Sequence, residues 1–138
     1  MIHRSHTELF YHFTWSTYQR TKLISNSWEN QLFDFIRAKC LQLRCLLSGV
    51  NATDDHIHVL LRGNATLSPA SIAHDLKGAS SFQINRDGIC DRHFGWQDGY
   101  GAFSVSPHDV DMVARYIQNQ KQHHATGDSR REWEPEDD

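Results

Sequence analysis

Apolar and polar positions along the chain switch between a period of two and a period of roughly 3.6, and each switch marks a new element. Residues 9–18, Leu-Phe-Tyr-His-Phe-Thr-Trp-Ser-Thr-Tyr, are dense in aromatic and β-branched side chains and predict a first strand. From Asn26 or Ser27 to about Cys45, Leu32, Phe33, Ile36, Cys40 and Leu43 follow a helical period, with Ser27 and Asn30 or Gln31 as its start. Leu46 to Thr53 reads as a second strand. Asp54-Asp55 reads as a tight turn into a third, His56-Ile57-His58-Val59-Leu60-Leu61. Ser68 followed by Pro69 is a cap and a first helical residue; that helix runs to about Asn85, with Asp87-Gly88 stopping it. A loop with Gly95, Gly99 and Gly101 leads to a fourth strand, Ala102-Phe103-Ser104-Val105. Ser106-Pro107, with Asp109 in the first turn, opens a last helix that continues to about Ala125 and stops at Gly127.

The order β-α-β-β-α-β-α predicts an α+β fold, ferredoxin-like or RRM-like, with an antiparallel sheet and one added C-terminal helix. A chain of 138 residues suits one domain with a real core, and no repeat or linker divides it. Residues 1–127 are expected to form that domain and residues 128–138 an acidic, flexible tail. There is no run of about 18 apolar residues to span a membrane, and Met1 to His6 lack the apolar segment of a signal peptide. Cys40, Cys45 and Cys90 are odd in number and lack zinc-knuckle spacing, so they read as reduced thiols of a cytoplasmic protein. The net charge of −3 comes entirely from Ser129 to Asp138. A neutral body permits DNA binding without advertising it.

The chemistry begins at His56-Ile57-His58. On a strand, side chains two apart point to one face, so both imidazoles aim together while Ile57, Val59 and Leu61 enter a core. Such a pair is either two polar groups on a wet face or two metal ligands. Leu60 shares the histidine face, which favours a cover over it. On the last helix Val110, Val113, Ala114 and Ile117 form an apolar stripe; beside it lie Met112, Tyr116, Gln120 and His123 or His124. Alone, Tyr116 is a packing residue, Gln120 a surface amide, and His123 and His124 complements to the helix dipole. If that edge faces the histidines, Gln120 supplies a third ligand. The open positions then suit Mg²⁺ or Mn²⁺ with substrate oxygens, and Tyr116 can attack a phosphorus polarised by the cation.

His56-Ile57-His58 followed by Tyr116-x-x-x-Gln120 resembles the HUH single-tyrosine transposases of the IS200/IS605 family. Four further segments carry the resemblance through residues 9–125: Tyr11-His12-x-x-Trp15-x-Thr17-x-x-Arg20, Leu76-Lys77-Gly78-x-x-Ser81, Trp96-x-x-Gly99-Tyr100-Gly101-x-Phe103-Ser104-Val105-Ser106, and Tyr116-Ile117-x-Asn119-Gln120-x-x-His123-His124. The resemblance implies an enzyme that cuts and rejoins single-stranded DNA at insertion-sequence ends, recognising hairpins and leaving a 5′-phosphotyrosine and a free 3′-hydroxyl. It implies Tyr116 as nucleophile, and His56, His58 and Gln120 as metal ligands. It also implies a homodimer in which one subunit's histidines can face the other's tyrosine helix. The acidic end follows closely on that helix, which leaves open any contact a longer C-terminus makes in relatives.

Two rivals share these residues. One is a relaxase or Rep-type nickase, disfavoured by the compact single domain; the other is a non-catalytic or domesticated hairpin-binding protein, disfavoured by the intact residue set. A structural zinc domain is disfavoured by the scattered cysteines. Arg4, Arg20, Lys22, Arg62, Lys77 and Arg86 are candidate backbone-binding cations, with Arg20 and Lys77 foremost because they fall in the matching segments.

Overall fold

The structure, a computed structural model, describes residues 5–121. Arg4, His123, His124 and the acidic tail 128–138 lie outside the described residues. Among the described residues, four strands and three α-helices follow one another in the expected order: β1 (Phe10–Ser16), α1 (Glu29–Gln42), β2 (Leu46–Ala52), β3 (His56–Arg62), α2 (Pro69–Arg86), β4 (Gly101–Val105) and α3 (Val110–Gln118). The strands form one antiparallel sheet ordered β2-β3-β1-β4. This is the ferredoxin-like arrangement with a helix added at its end.

Alternation along the strands sorts the sheet into two faces. Phe13 and Trp15 of β1 pair with Val59 and Ile57 of β3, and all four enter the main core. There they meet Leu32, Ile36 and Cys40 of α1 and Ile72, Leu76 and Ile84 of α2. The same register puts His12, Thr14 and Ser16 opposite Leu60, His58 and His56 on the other face. That second face is covered in part by α3, which packs Val113, Tyr116 and Ile117 on Leu60 in a small separate cluster. α3 also passes over Gly49 of β2, where a Cβ would be in ordinary contact with Ala114, 3.9 Å from its Cα.

Four helix boundaries differ from the sequence expectation, one of them the end of α3 at Gln118; the expected end near Ala125 and stop at Gly127 lie outside the described residues. The first helix begins at Glu29, and Ser27 caps nothing; its hydroxyl instead meets Ser25 at 2.9 Å. That helix ends at Gln42 because Arg44 takes a left-handed φ of 59°, which turns the chain into β2. The segment after Ser106 opens as a 3₁₀ turn, Pro107–Asp109, before α3 proper. By contrast, Ser68 accepts the amide of Ser71 as the cap-proline signal predicts, and Gly88 leaves α2 at φ 62°.

The cysteines form no disulfide. Burial pushes the Cys40 thiol up to about 12, with Cys45 adding to the shift. Near pH ~8 the folded protein should therefore present only the half-buried Cys90 to a thiol reagent, since the thiolate is the reactive form. A disulfide-exchange dye should count one fast thiol in the native chain and all three after guanidinium unfolding. Rapid native labelling of Cys40 would contradict this packing.

Candidate active site

The third strand delivers both histidines to the α3 side of the sheet. His56 and His58 are fully buried, with ring centroids 5.2 Å apart. Each has its Nδ1 engaged. For His56 the partners are the Asp55 carboxylate at 2.8 Å and the Thr53 hydroxyl at 2.8 Å. For His58 the partner is Nε2 of His12, also at 2.8 Å. Holding Nδ1 turns the opposite nitrogen, Nε2, toward the site, and both Nε2 atoms are sealed from solvent.

Asp55 is itself positioned. Partial burial pushes its carboxyl up, but the hydrogen bond from His56, the Arg20 charge and Thr53 outweigh that and hold its pKa below the ordinary value. Asp55 is therefore an anion that only accepts, so the shared proton stays on His56 Nδ1. Arg20 reaches Asp55 at 3.5 Å. Its backbone, like that of Gln19, is left-handed, with φ of 53° and 55°. Two such residues in succession cost energy.

From α3, Tyr116 places its ring 6.0 Å from that of His58, edge to face at 80°. Gln120, one turn further, is fully buried, including its amide oxygen. The end of the helix is fastened to the edge strand. Asn51 donates to the carbonyls of Ile117 and Gln118 at 2.9 and 3.1 Å, and Lys121 donates to Asn51 and to the carbonyl of Ala52. Lys121 also pairs with Glu29 at 3.1 Å. Tyr116 thus meets His58 of its own chain. Met112, expected on the same edge, is 40 % exposed and takes no part.

Among the described residues, no three His, Cys, Asp or Glu side chains are grouped for a metal ion. What the face does hold is two imidazoles with oriented Nε2 atoms, a buried amide on the covering helix and a phenol against one imidazole. Such a set can bind a cation through two nitrogens and an amide oxygen, and can present a phenol oxygen to an electrophile.

The candidate cations are differently placed. Arg20 is engaged with Asp55. Lys77 donates to the carbonyls of Gln97 and Gly99, each at 2.7 Å, and so straps the loop before β4 to α2; burial lowers its pKa. Arg62 stacks over Phe10 and donates to the Thr7 carbonyl, at the end of β3 away from His56. Arg86 pairs with Asp87 at 2.9 Å. Lys22 is solvent-exposed. Sequence reasoning gave His12 and Asp55 no role of their own, although the polar alternation His12, Thr14, Ser16 on an aromatic strand was a legible signal.

A family model described as "Transposase IS200 like" matches residues 5–120. No curated protein matches the chain. Among solved structures, one described as a transposase of Deinococcus radiodurans R1 is 23 % identical, with a TM-score of 0.67 over 87 % of this chain and 97 % of that one. A REP-associated tyrosine transposase bound to a REP hairpin is 13 % identical, with a TM-score of 0.64 over 90 % of this chain and 74 % of that one. At these identities the two structures speak for the fold. No helix among the described residues is long and apolar enough to cross a membrane.

Proposed function

Because the chain belongs to the IS200-like transposase family, we propose that it cleaves and rejoins single-stranded DNA with Tyr116 as the nucleophile, His56, His58 and Gln120 serving as ligands for Mg²⁺ or Mn²⁺. One observation carries the reading: the phenol ring of Tyr116 stands against His58 inside one chain, on a face whose imidazoles have their Nδ1 atoms held. The donor set suits a hard divalent cation that keeps open positions for substrate oxygens, and not the closed tetrahedron of structural zinc. When bound, the cation polarises the scissile phosphate and offsets the charge developing on its oxygens.

The residues of the chain do the rest. The Tyr116 oxygen forms a bond to phosphorus as the bond from phosphorus to the 3′ oxygen breaks. The phenol loses its proton and the departing oxygen gains one. The product is a 5′-phosphotyrosine and a free 3′-hydroxyl, and the retained phosphodiester energy lets another 3′-hydroxyl reverse the step elsewhere without ATP. Asp55 and Thr53 hold His56 in register, and the Leu60, Val113 and Ile117 cluster holds the helix that carries Tyr116.

The substrate class follows the same reading: single-stranded DNA folded into hairpins at element ends. The REP-associated tyrosine transposase of similar fold, which is bound to a REP hairpin, supports that choice. A cytoplasmic protein acting as a homodimer is part of the proposal, with each site completed by its own chain. The test is incubation with labelled single-stranded hairpin DNA and Mg²⁺ or Mn²⁺, followed by a denaturing gel. A covalent adduct that EDTA prevents is expected. Hairpin binding without any adduct would replace this reading with that of a binding module.

A further inference from the structure

The two histidines are held by chemically different partners. His56 leans on Asp55, an anion, whereas His58 leans on a second imidazole, that of His12. His12 is fully buried. Its ring lies 5.0 Å from that of His58 and tilted by 32°, with Phe103 of β4 at 6.1 Å from its ring. The placement follows from strand register. His12 pairs with Leu60, so it lies diagonally across from His58, within side-chain reach on one face.

With both imidazoles in their neutral form, one proton lies between the facing nitrogens, which are 2.8 Å apart. Either His58 donates from Nδ1 and keeps a lone pair on Nε2, or His12 donates and the proton of His58 moves to Nε2, where it blocks a ligand bond. We propose that His12 is a positioning residue that accepts from His58 Nδ1 and so fixes the tautomer in which His58 Nε2 can bind a metal. A neutral acceptor serves here for a physical reason. The substrate phosphodiester is an anion, and a second carboxylate beside this histidine would repel it in a site sheltered from water. The inference rests on the metal reading of His56, His58 and Gln120.

The test uses the full-length protein labelled with ¹⁵N-histidine, without metal and then titrated with Mn²⁺. Long-range ¹H–¹⁵N correlation spectra read which nitrogen of His58 carries the proton, and Mn²⁺ paramagnetic relaxation reads affinity. The expected wild-type spectrum has the proton on Nδ1. His12→Phe keeps a ring but offers no acceptor; it should weaken Mn²⁺ binding by about 10- to 100-fold. His12→Gln offers an amide oxygen and should recover part of that loss, which a mere packing role would not predict. A wild-type proton on Nε2, or unchanged Mn²⁺ affinity in a folded His12→Phe protein, overturns the proposal. Should the wild type bind no Mn²⁺, the metal reading fails by itself. The spectra still decide His12: a proton on Nδ1 that His12→Phe displaces sustains its role, and one left unmoved refutes it.

Discussion

Tyr116→Phe is expected to abolish the covalent DNA adduct while leaving the fold intact. The substitution removes one oxygen and keeps the ring. That ring is 6 % exposed and packs with Leu60, Val113 and Ile117, so its volume is what the small cluster uses. Thermal stability should shift by about 1 kcal/mol or less, the usual scale for one hydrogen-bonding group. The cleavage rate should fall by roughly 10⁴-fold or more, as when a nucleophile is lost from a site whose members act as a unit. Single-turnover cleavage of labelled hairpin DNA measures the rate, and calorimetry measures the fold. An adduct of normal yield in this variant would dismiss Tyr116 as the nucleophile.

The second large effect concerns His56. His56→Ala removes a proposed ligand and also leaves the half-buried Asp55 carboxylate without its imidazole donor. Mn²⁺ affinity should fall by more than the roughly 10- to 100-fold that the loss of an outer partner costs, and adduct formation should fail with it. Mixing this variant with Tyr116→Phe separates two architectures. If helix and histidines met across a dimer, the mixture would regain one good site per pair. The structure packs α3 on its own sheet through Leu60 and ties its end to Asn51 of the same chain. No recovery of cleavage is therefore expected, and recovery would show that the helix crosses to its neighbour.

Much of this was legible in the amino-acid order alone. Strand and helix periods, together with the cap-and-proline signals, located the four strands and three α-helices of the described residues, because each buries one face and leaves the other wet or covered. Ser68-Pro69 and Gly88 punctuated α2 because their backbone chemistry is local. The errors have equally physical sources. Ser27 looks like a cap, yet the chain makes its turn at residues 25–28 with backbone bonds to the Ser25 carbonyl. Arg44 ends α1 in a conformation usually given to glycine, a tertiary choice that no side-chain pattern announces. At the site, His56 and His58 stood out by their spacing on a strand, and Tyr116 and Gln120 through the family resemblance. His12 did not, because it lies in a segment whose aromatic neighbours Phe13 and Trp15 signal a strand and nothing more. Arg20 and Lys77 were singled out as cations, but their partners, Asp55 and two loop carbonyls, are set by contacts distant in sequence.

The main core and the four-residue cluster under α3 are separate bodies of apolar packing, divided by the sheet. Separate packing means separate opening. A short helix that buries Val113, Tyr116 and Ile117 on Leu60, with a few polar ties at its end, can detach locally at a fraction of the free energy that melts the sheet beneath it. In hydrogen–deuterium exchange the amides of α3 then belong to an early-exchanging unit, and those of β1 and β3 to the slowest one. Among the described residues the proposed nucleophile, Tyr116, would then sit on an element that opens early, and His56 and His58 on a strand that opens late.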